Sequence, residues 1–108
     1  MAIISSTPQQ VPGSDVLIVT TPVIQNVVIA LADTEQSISV AADTKKVYVN
    51  ARGSSVLRLA FTVGGTTTSY RVIRAGFIYE SPALSGTGLT LYVQSNQAAE
   101  TVEVESWV

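Results

Sequence analysis

The side chains of this chain that can do chemistry are carboxylates, because its 108 residues include no histidine and no cysteine. Ser-His-Asp and Cys-His nucleophilic sites and imidazole zinc sites therefore cannot be built. Two carboxylates can hydrolyse a glycoside when a cleft tunes their pKa values. The acids available for such a pair lie instead in or beside predicted turns: Asp15, Asp33, Glu35, Asp43 and Glu80. The sequence therefore predicts that the protein is not an enzyme.

Two groups of loop residues can be interpreted either as ligand sites or as ordinary turns. Carboxylates such as Asp33 and Glu35 suit calcium, so a calcium site there stays open as an alternative. Residues 64–67, Gly-Gly-Thr-Thr, have the glycines of a phosphate-binding loop but neither its spacing nor its lysine. A hairpin turn explains these glycines fully, and we expect no cofactor.

The two glycines separate two runs rich in β-branched and aromatic residues, residues 56–63 and 66–73. Glycine tolerates the positive φ of a tight two-residue turn, so the pattern predicts a β-hairpin. Because side chains alternate across a strand, this register places five residues on one apolar face. They are Leu57, Leu59, Phe61, Tyr70 and Val72.

The same register places Arg58 directly opposite Arg71, where like charges repel. We therefore expect an anionic partner for this pair, either Glu103 and Glu105 or the acids of a neighbouring subunit. Arg74 extends the same basic region. Nucleic-acid binding is disfavoured, because the net charge is −2 and no basic stripe stands alone.

Short strand candidates follow one another about every ten residues, separated by turn residues. The pattern predicts an all-β protein, an antiparallel β-sandwich of about eight short strands and jelly-roll-like in its order. Residues 15–108 form a single domain in this interpretation. The strand candidates are residues 15–20, 23–32, 36–41, 46–51, 56–63, 66–74, 77–80, 89–95 and 101–108.

Residues 1–14 carry no charge, contain two prolines and begin with an apolar segment that includes Ile3 and Ile4. This composition predicts an extended N-terminal arm that lies along another surface. The chain shows neither a secretory signal nor an apolar run of the ~20 residues that a membrane helix needs. We expect a protein made in a reducing cytosol, with no membrane partner.

Charge is sparse and unevenly placed. Charged residues make up 13% of the chain, against about 25% in ordinary soluble domains. Residues 15–74 carry six basic and four acidic side chains, a net +2, whereas residues 75–108 carry four glutamates and no base, a net −4. Because few charges are available to cover the surface, we expect contact with a partner or a sister subunit.

Aromatic residues supply further interface candidates. Alternation along residues 101–108 places Trp107 on the same face as Glu103 and Glu105, outside the core, and Tyr92 lies on the outward side of its strand. An alternative hypothesis is a carbohydrate-binding module, because jelly rolls often bind sugars through exposed aromatic rings. The rings available are Tyr48, Tyr79, Tyr92 and Trp107.

Five segments combine apolar alternation with turns: VYVN at 47–50, SSVLRLAF at 54–61, YRVIRAGF at 70–77, LTLYVQS at 89–95 and VEVESW at 102–107. In this pattern the chain resembles small virion proteins of tailed bacteriophages, in particular the jelly-roll head decoration proteins, also called cement or staple proteins. The resemblance implies a non-enzymatic structural protein of the virion that bridges and stabilises major capsid protein subunits. It also implies a homo-oligomer, with a trimer favoured, made in the bacterial host cytoplasm. A tail, adaptor or fibre-associated virion protein is the related alternative.

Overall fold

The computed structural model describes residues 21–85 and 88–108, which form eight strands and one short 3₁₀ helix. The prediction of an all-β fold with almost no helix is confirmed. The arm predicted at 1–14, with Ile3 and Ile4, and the strand predicted at 15–20 lie outside the described residues. The strands are β1 Val23–Ile29, β2 Gln36–Val40, β3 Lys46–Ala51, β4 Leu57–Ala60, β5 Arg71–Ile73, β6 Tyr79–Glu80, β7 Leu89–Ser95 and β8 Glu100–Trp107.

The strands form two four-stranded antiparallel sheets. The first sheet has the order β1-β8-β3-β6 and the second has the order β2-β7-β4-β5. Within them β1 pairs with β8, β2 with β7, β3 with β6 and β4 with β5. The eight strands therefore form one long nested hairpin wrapped into two sheets, which is the connectivity of a jelly roll. β4 and β5 form its innermost pair.

The core lies between the two sheets and is aliphatic. β-Branched residues fit a pleated, half-buried surface, and alternate positions along the long strands point inward. Alternation in the sequence predicts the inward residues of four strands, and these predictions are confirmed, although Ala51 and Leu89 are only partly buried. The predicted residues are Ile38 and Val40 in β2, Val47, Val49 and Ala51 in β3, Leu89, Leu91 and Val93 in β7, and Val102 and Val104 in β8. The buried residues of this cluster are Ile29, Ile38, Val40, Val47, Val49, Leu57, Leu59, Ile73, Leu91, Val93, Val102 and Val104.

The hairpin register predicted for residues 56–73 is wrong by one residue. Leu57 pairs with Ile73, and Leu59 pairs with Arg71, so Arg58 and Arg71 are not opposite each other. β4 ends at Ala60, and residues 61–70 form a loop that contains the 3₁₀ helix Gly65–Thr67. A one-residue slip moves side chains to the other face. Ile73 therefore enters the core, and Val72 is exposed. Phe61 and Tyr70, also predicted for the apolar face, are exposed in the loop beyond the paired strands.

Candidate interaction surfaces

A buried carboxylate holds the loop between β3 and β4. Glu100, the first residue of β8, is 7% exposed. One of its oxygens accepts the Gly53 N–H at 2.9 Å, and the other accepts both the N–H and the hydroxyl of Ser55. Burial raises the pKa of Glu100, but the hydrogen bonds from Ser55 and Gly53 outweigh burial and bring it below the ordinary 4.5. The Glu100 carboxylate therefore has a structural role, because its hydrogen bonds hold this loop in place.

A second carboxylate holds the loop between β4 and β5 in the same way. Glu35, just before β2, accepts the Gly64 N–H at 2.8 Å, the Thr66 N–H at 3.2 Å and the Thr66 hydroxyl at 2.6 Å. Gln94 donates to the Thr66 hydroxyl at 2.9 Å and so fixes the buried threonine from below. The bonds from the Thr66 hydroxyl and the Gly64 N–H lower the pKa of Glu35. These bonds give the physical reason why the glycines do not close a tight hairpin.

This geometry bears on the calcium alternative at Asp33 and Glu35. N–H and O–H donors turn their positive ends toward both oxygens of Glu35, which favours an anion and disfavours a bound cation. Among residues 21–85 and 88–108, no three His, Cys, Asp or Glu side chains come together as a metal site would require. The loop carboxylate that the sequence offers as a ligand is used to hold the backbone.

The outer face of the first sheet carries an acidic hollow of about 390 Å³, lined by Ile24, Tyr48, Asn50, Ile78, Glu103, Val104 and Glu105. Glu103 accepts bonds from Asn50 at 2.9 Å and from the Arg52 guanidinium at 2.8 Å, and both lower the pKa of Glu103. Glu105 accepts the indole N–H of Trp107 at 2.6 Å. We call this surface the acidic hollow.

A second hollow of about 310 Å³ lies beside the first, where the edge strands β5 and β6 meet. Arg71 and Arg74 supply its positive charge, and Arg71 lies over the Tyr79 ring at 5.6 Å. Phe77 and Ile78 are 66% and 64% exposed. We call this surface, formed by Arg71, Val72, Ile73, Arg74, Phe77, Ile78, Tyr79 and Glu80, the basic edge.

The structure distributes the predicted interface residues over three surfaces. Arg58 lies on the outer face of the second sheet with its guanidinium 4.7 Å from the centre of the Tyr70 ring, and Tyr92 lies in the neighbouring strand of that face. Arg71 and Arg74 belong to the basic edge, whereas Trp107 is exposed on the outer face of the first sheet beside Glu105. The prediction that Arg58 and Arg71 form one pair is therefore wrong.

The acids predicted to meet those arginines are engaged elsewhere within the described chain. Glu103 forms an ion pair with Arg52, and Glu105 accepts the indole N–H of Trp107. Among the described residues, a second salt bridge joins Lys46 to Glu80 at 2.8 Å. Arg58, Arg71 and Arg74 form no salt bridge with any residue in the described ranges. Their positive charge is therefore not neutralised by those acids.

Sequence reasoning missed the exposed apolar residues beside both hollows. Ile24, at 61% exposed, precedes the inward-facing part of β1, and Ile78 lines both the acidic hollow and the basic edge. Residues 77–80 were expected to be one strand, but β6 is only Tyr79–Glu80. The available signal in the sequence was the short segment between the turn residues Gly76 and Pro82, which leaves few positions for a strand.

Comparisons with protein-family models, with curated proteins and with solved structures find no match to this chain. Within the part of the chain that the structure describes, no helix has the length and apolar character to cross a membrane.

Proposed function

We propose that the chain is a non-enzymatic structural protein of a bacteriophage virion, a capsid decoration protein that bridges and stabilises major capsid protein subunits. The observation that carries the proposal is the exposure of large apolar side chains, Ile24, Phe77 and Ile78, around two adjacent charged hollows. Contiguous exposed apolar surface rimmed by polar groups is typical of a protein–protein contact. The jelly-roll connectivity and the sparse charge support the same proposal.

A capsid offers many identical binding positions, so a decoration protein gains avidity when several of its copies act together. We therefore include self-association in the proposal, with a trimer favoured by the resemblance. The uncharged residues 1–14 contact the capsid in this proposal. The protein is then made in the bacterial cytoplasm and resides in the virion.

Particle binding tests the proposal. Particles assembled without this chain, from the major capsid protein of the same phage, are mixed with the full-length protein and sedimented. The protein should saturate the particles at a fixed copy number and raise their melting temperature. Deletion of residues 1–14 should reduce occupancy while the isolated domain keeps its melting temperature. Absence of binding by the full-length protein contradicts the proposal, and a bound position on the tail favours a tail or adaptor protein instead.

A matched pair of variants tests whether the apolar surface is needed for particle binding, either directly or through the self-association included in the proposal. Phe77→Ser/Ile78→Ser removes apolar side chains beside the hollows, whereas Leu31→Ser removes an equally exposed one in the loop after β1. Occupancy should fall for the first variant and stay unchanged for the second. Equal occupancy of the particles by both variants would show that Phe77 and Ile78 do not contribute to particle binding.

A carbohydrate-binding module is the second candidate, favoured by the acidic hollow. Tyr48 and Asn50 line it with two carboxylates, and Trp107 lies on the same sheet face. An aromatic ring beside polar groups is the usual composition of a sugar site. Binding on a glycan array that is lost in Tyr48→Ala or Trp107→Ala, but kept in Tyr92→Ala on the other sheet, would support it. An array without hits would exclude it.

A further inference from the structure

We infer that the basic edge of one copy of this chain docks into the acidic hollow of a second copy. This inference rests on the self-association included in the proposed function, and it names the surfaces that make the contact. The occupant of the acidic hollow is therefore another molecule of the same chain, with its Arg71 and Arg74 facing Glu103 and Glu105.

Charge complementarity is the first argument. Arg71 and Arg74 have no carboxylate partner among the described residues, and both line an open hollow. Glu105 accepts one hydrogen bond, from the neutral indole of Trp107, and Glu103 accepts one from the Asn50 amide and one from the Arg52 guanidinium. The acidic hollow therefore holds two carboxylates and one cation. Guanidinium groups entering it would meet carboxylates with free acceptor positions, in the fork geometry that arginine favours.

The apolar surface gives the second argument. Ile24 and Ile78 border the carboxylates of the acidic hollow, and Phe77 and Val72 border the arginines of the basic edge. Each of the two surfaces thus places exposed apolar groups beside its charged groups. A contact between the surfaces buries the apolar groups of both. Apolar burial supplies affinity, and the opposite charges select the partner and the register.

The strand order gives the third argument. β5 and β6 are edge strands of three and two residues. Edges this short offer few free backbone groups for strand addition, so this edge is suited to side-chain contact. The two surfaces adjoin at Ile78, but their charged residues differ, so each copy presents both halves of the contact.

Charge reversal tests the contact in solution, without particles. Sedimentation velocity at about 100 µM and low salt compares the wild type with Arg74→Glu, Glu105→Arg and the double variant Arg74→Glu/Glu105→Arg. Lys45→Glu is the control for net charge, because Lys45 lies in the loop between β2 and β3, outside both surfaces. Circular dichroism melting verifies that every variant is folded.

The wild type and Lys45→Glu should self-associate. Each single reversal in the contact should weaken association by at least about tenfold, because like charges then face each other. The double variant should regain it, and an equal mixture of the two single variants should also associate. A monomeric wild type, single variants that associate normally, or a folded double variant that stays monomeric would overturn the inference.

Particle binding separates this inference from the proposed function. If Arg74→Glu is monomeric in solution and binds particles more weakly than the wild type, both stand. If the wild type is monomeric but binds particles, the self-association contact fails and the capsid proposal survives. If the wild type self-associates through these charges but never binds particles, the capsid proposal fails alone.

Discussion

Two loops of this jelly roll are held by the same device in different surroundings. In each, a glutamate at the beginning of a strand accepts one N–H from a glycine and both the N–H and the hydroxyl of a residue two positions later. Glu100 holds Gly53 and Ser55, and Glu35 holds Gly64 and Thr66. The two loops share a sequence pattern, Gly-x-Ser at 53–55 and Gly-x-Thr at 64–66.

The two glycines serve different purposes. A Cβ on Gly53 would lie 2.8 Å from a Glu100 oxygen, so glycine is needed there because the carboxylate comes so close. Gly64 has φ 76° with open space around it, so glycine is needed there for backbone conformation. Glu100 is also buried, whereas Glu35 is only half-buried. The same motif is therefore buried in the loop between β3 and β4, whereas in the loop between β4 and β5 it lies at the surface. We call the hydrogen bonds of Glu35 to Gly64 and Thr66 the latch.

The largest effect should come from Glu100→Gln. The amide directs its NH₂ group at backbone N–H donors, and at least one buried donor loses its acceptor. We expect the free energy of unfolding to fall by about 2 kcal/mol, measured by urea titration. Glu105→Gln, on the exposed face, is the control and should change little. Equal stability of the two variants would show that the hydrogen bonds of Glu100 do not stabilise the loop between β3 and β4.

Gly53→Ala should be the next most harmful change, because its methyl group displaces the Glu100 carboxylate. Gly64→Ala should cost about 1 kcal/mol from the positive φ alone. The two can be distinguished in a double-mutant cycle. Truncation by Glu100→Ala should relieve most of the Gly53→Ala penalty and none of the Gly64→Ala penalty. Additive effects at Gly53 and Glu100 would contradict the close-contact explanation.

Acid should destabilise the protein through the lowered carboxylate pKa values. Because the folded-state pKa values of Glu100, Glu35 and Glu103 lie below the ordinary 4.5, the stability they contribute is complete above that pH and is lost as pH falls through the folded-state values. The free energy of unfolding, measured from neutral to acidic pH, should therefore decrease once the pH is lower than about 4.5. The Glu100→Gln variant should show a shallower decline, and an unchanged decline would contradict the assignment.

The smallest global effect is expected for Glu35→Gln. Loss of the latch should speed hydrogen exchange at the Gly64 and Thr66 amides, because these donors then open to water. The melting temperature should hardly move. Unchanged exchange at both amides, with Gly53 and Ser55 as the internal reference, would break the parallel between the two loops.

Strand positions and inward-facing residues were largely predictable, because alternation in β2, β3, β7 and β8 reports burial directly. The predicted bounds of β3 and β7 match the structure. The loop after β4 was not predictable from local sequence, because two adjacent glycines are equally typical of a two-residue hairpin turn. What decides its conformation is Glu35, which lies 29 residues before Gly64. The surfaces were missed for a similar reason, because Ile24 and Ile78 meet only after the sheet forms.

We propose that this jelly roll is a component of a phage particle, and the composition of purified particles tests that proposal. Quantitative mass spectrometry of virions from the phage that encodes the chain should find it at a fixed copy number relative to the major capsid protein. Deletion of its gene should leave particles that melt at a lower temperature. Absence of the chain from purified virions, or a copy number that varies between preparations, would contradict the account.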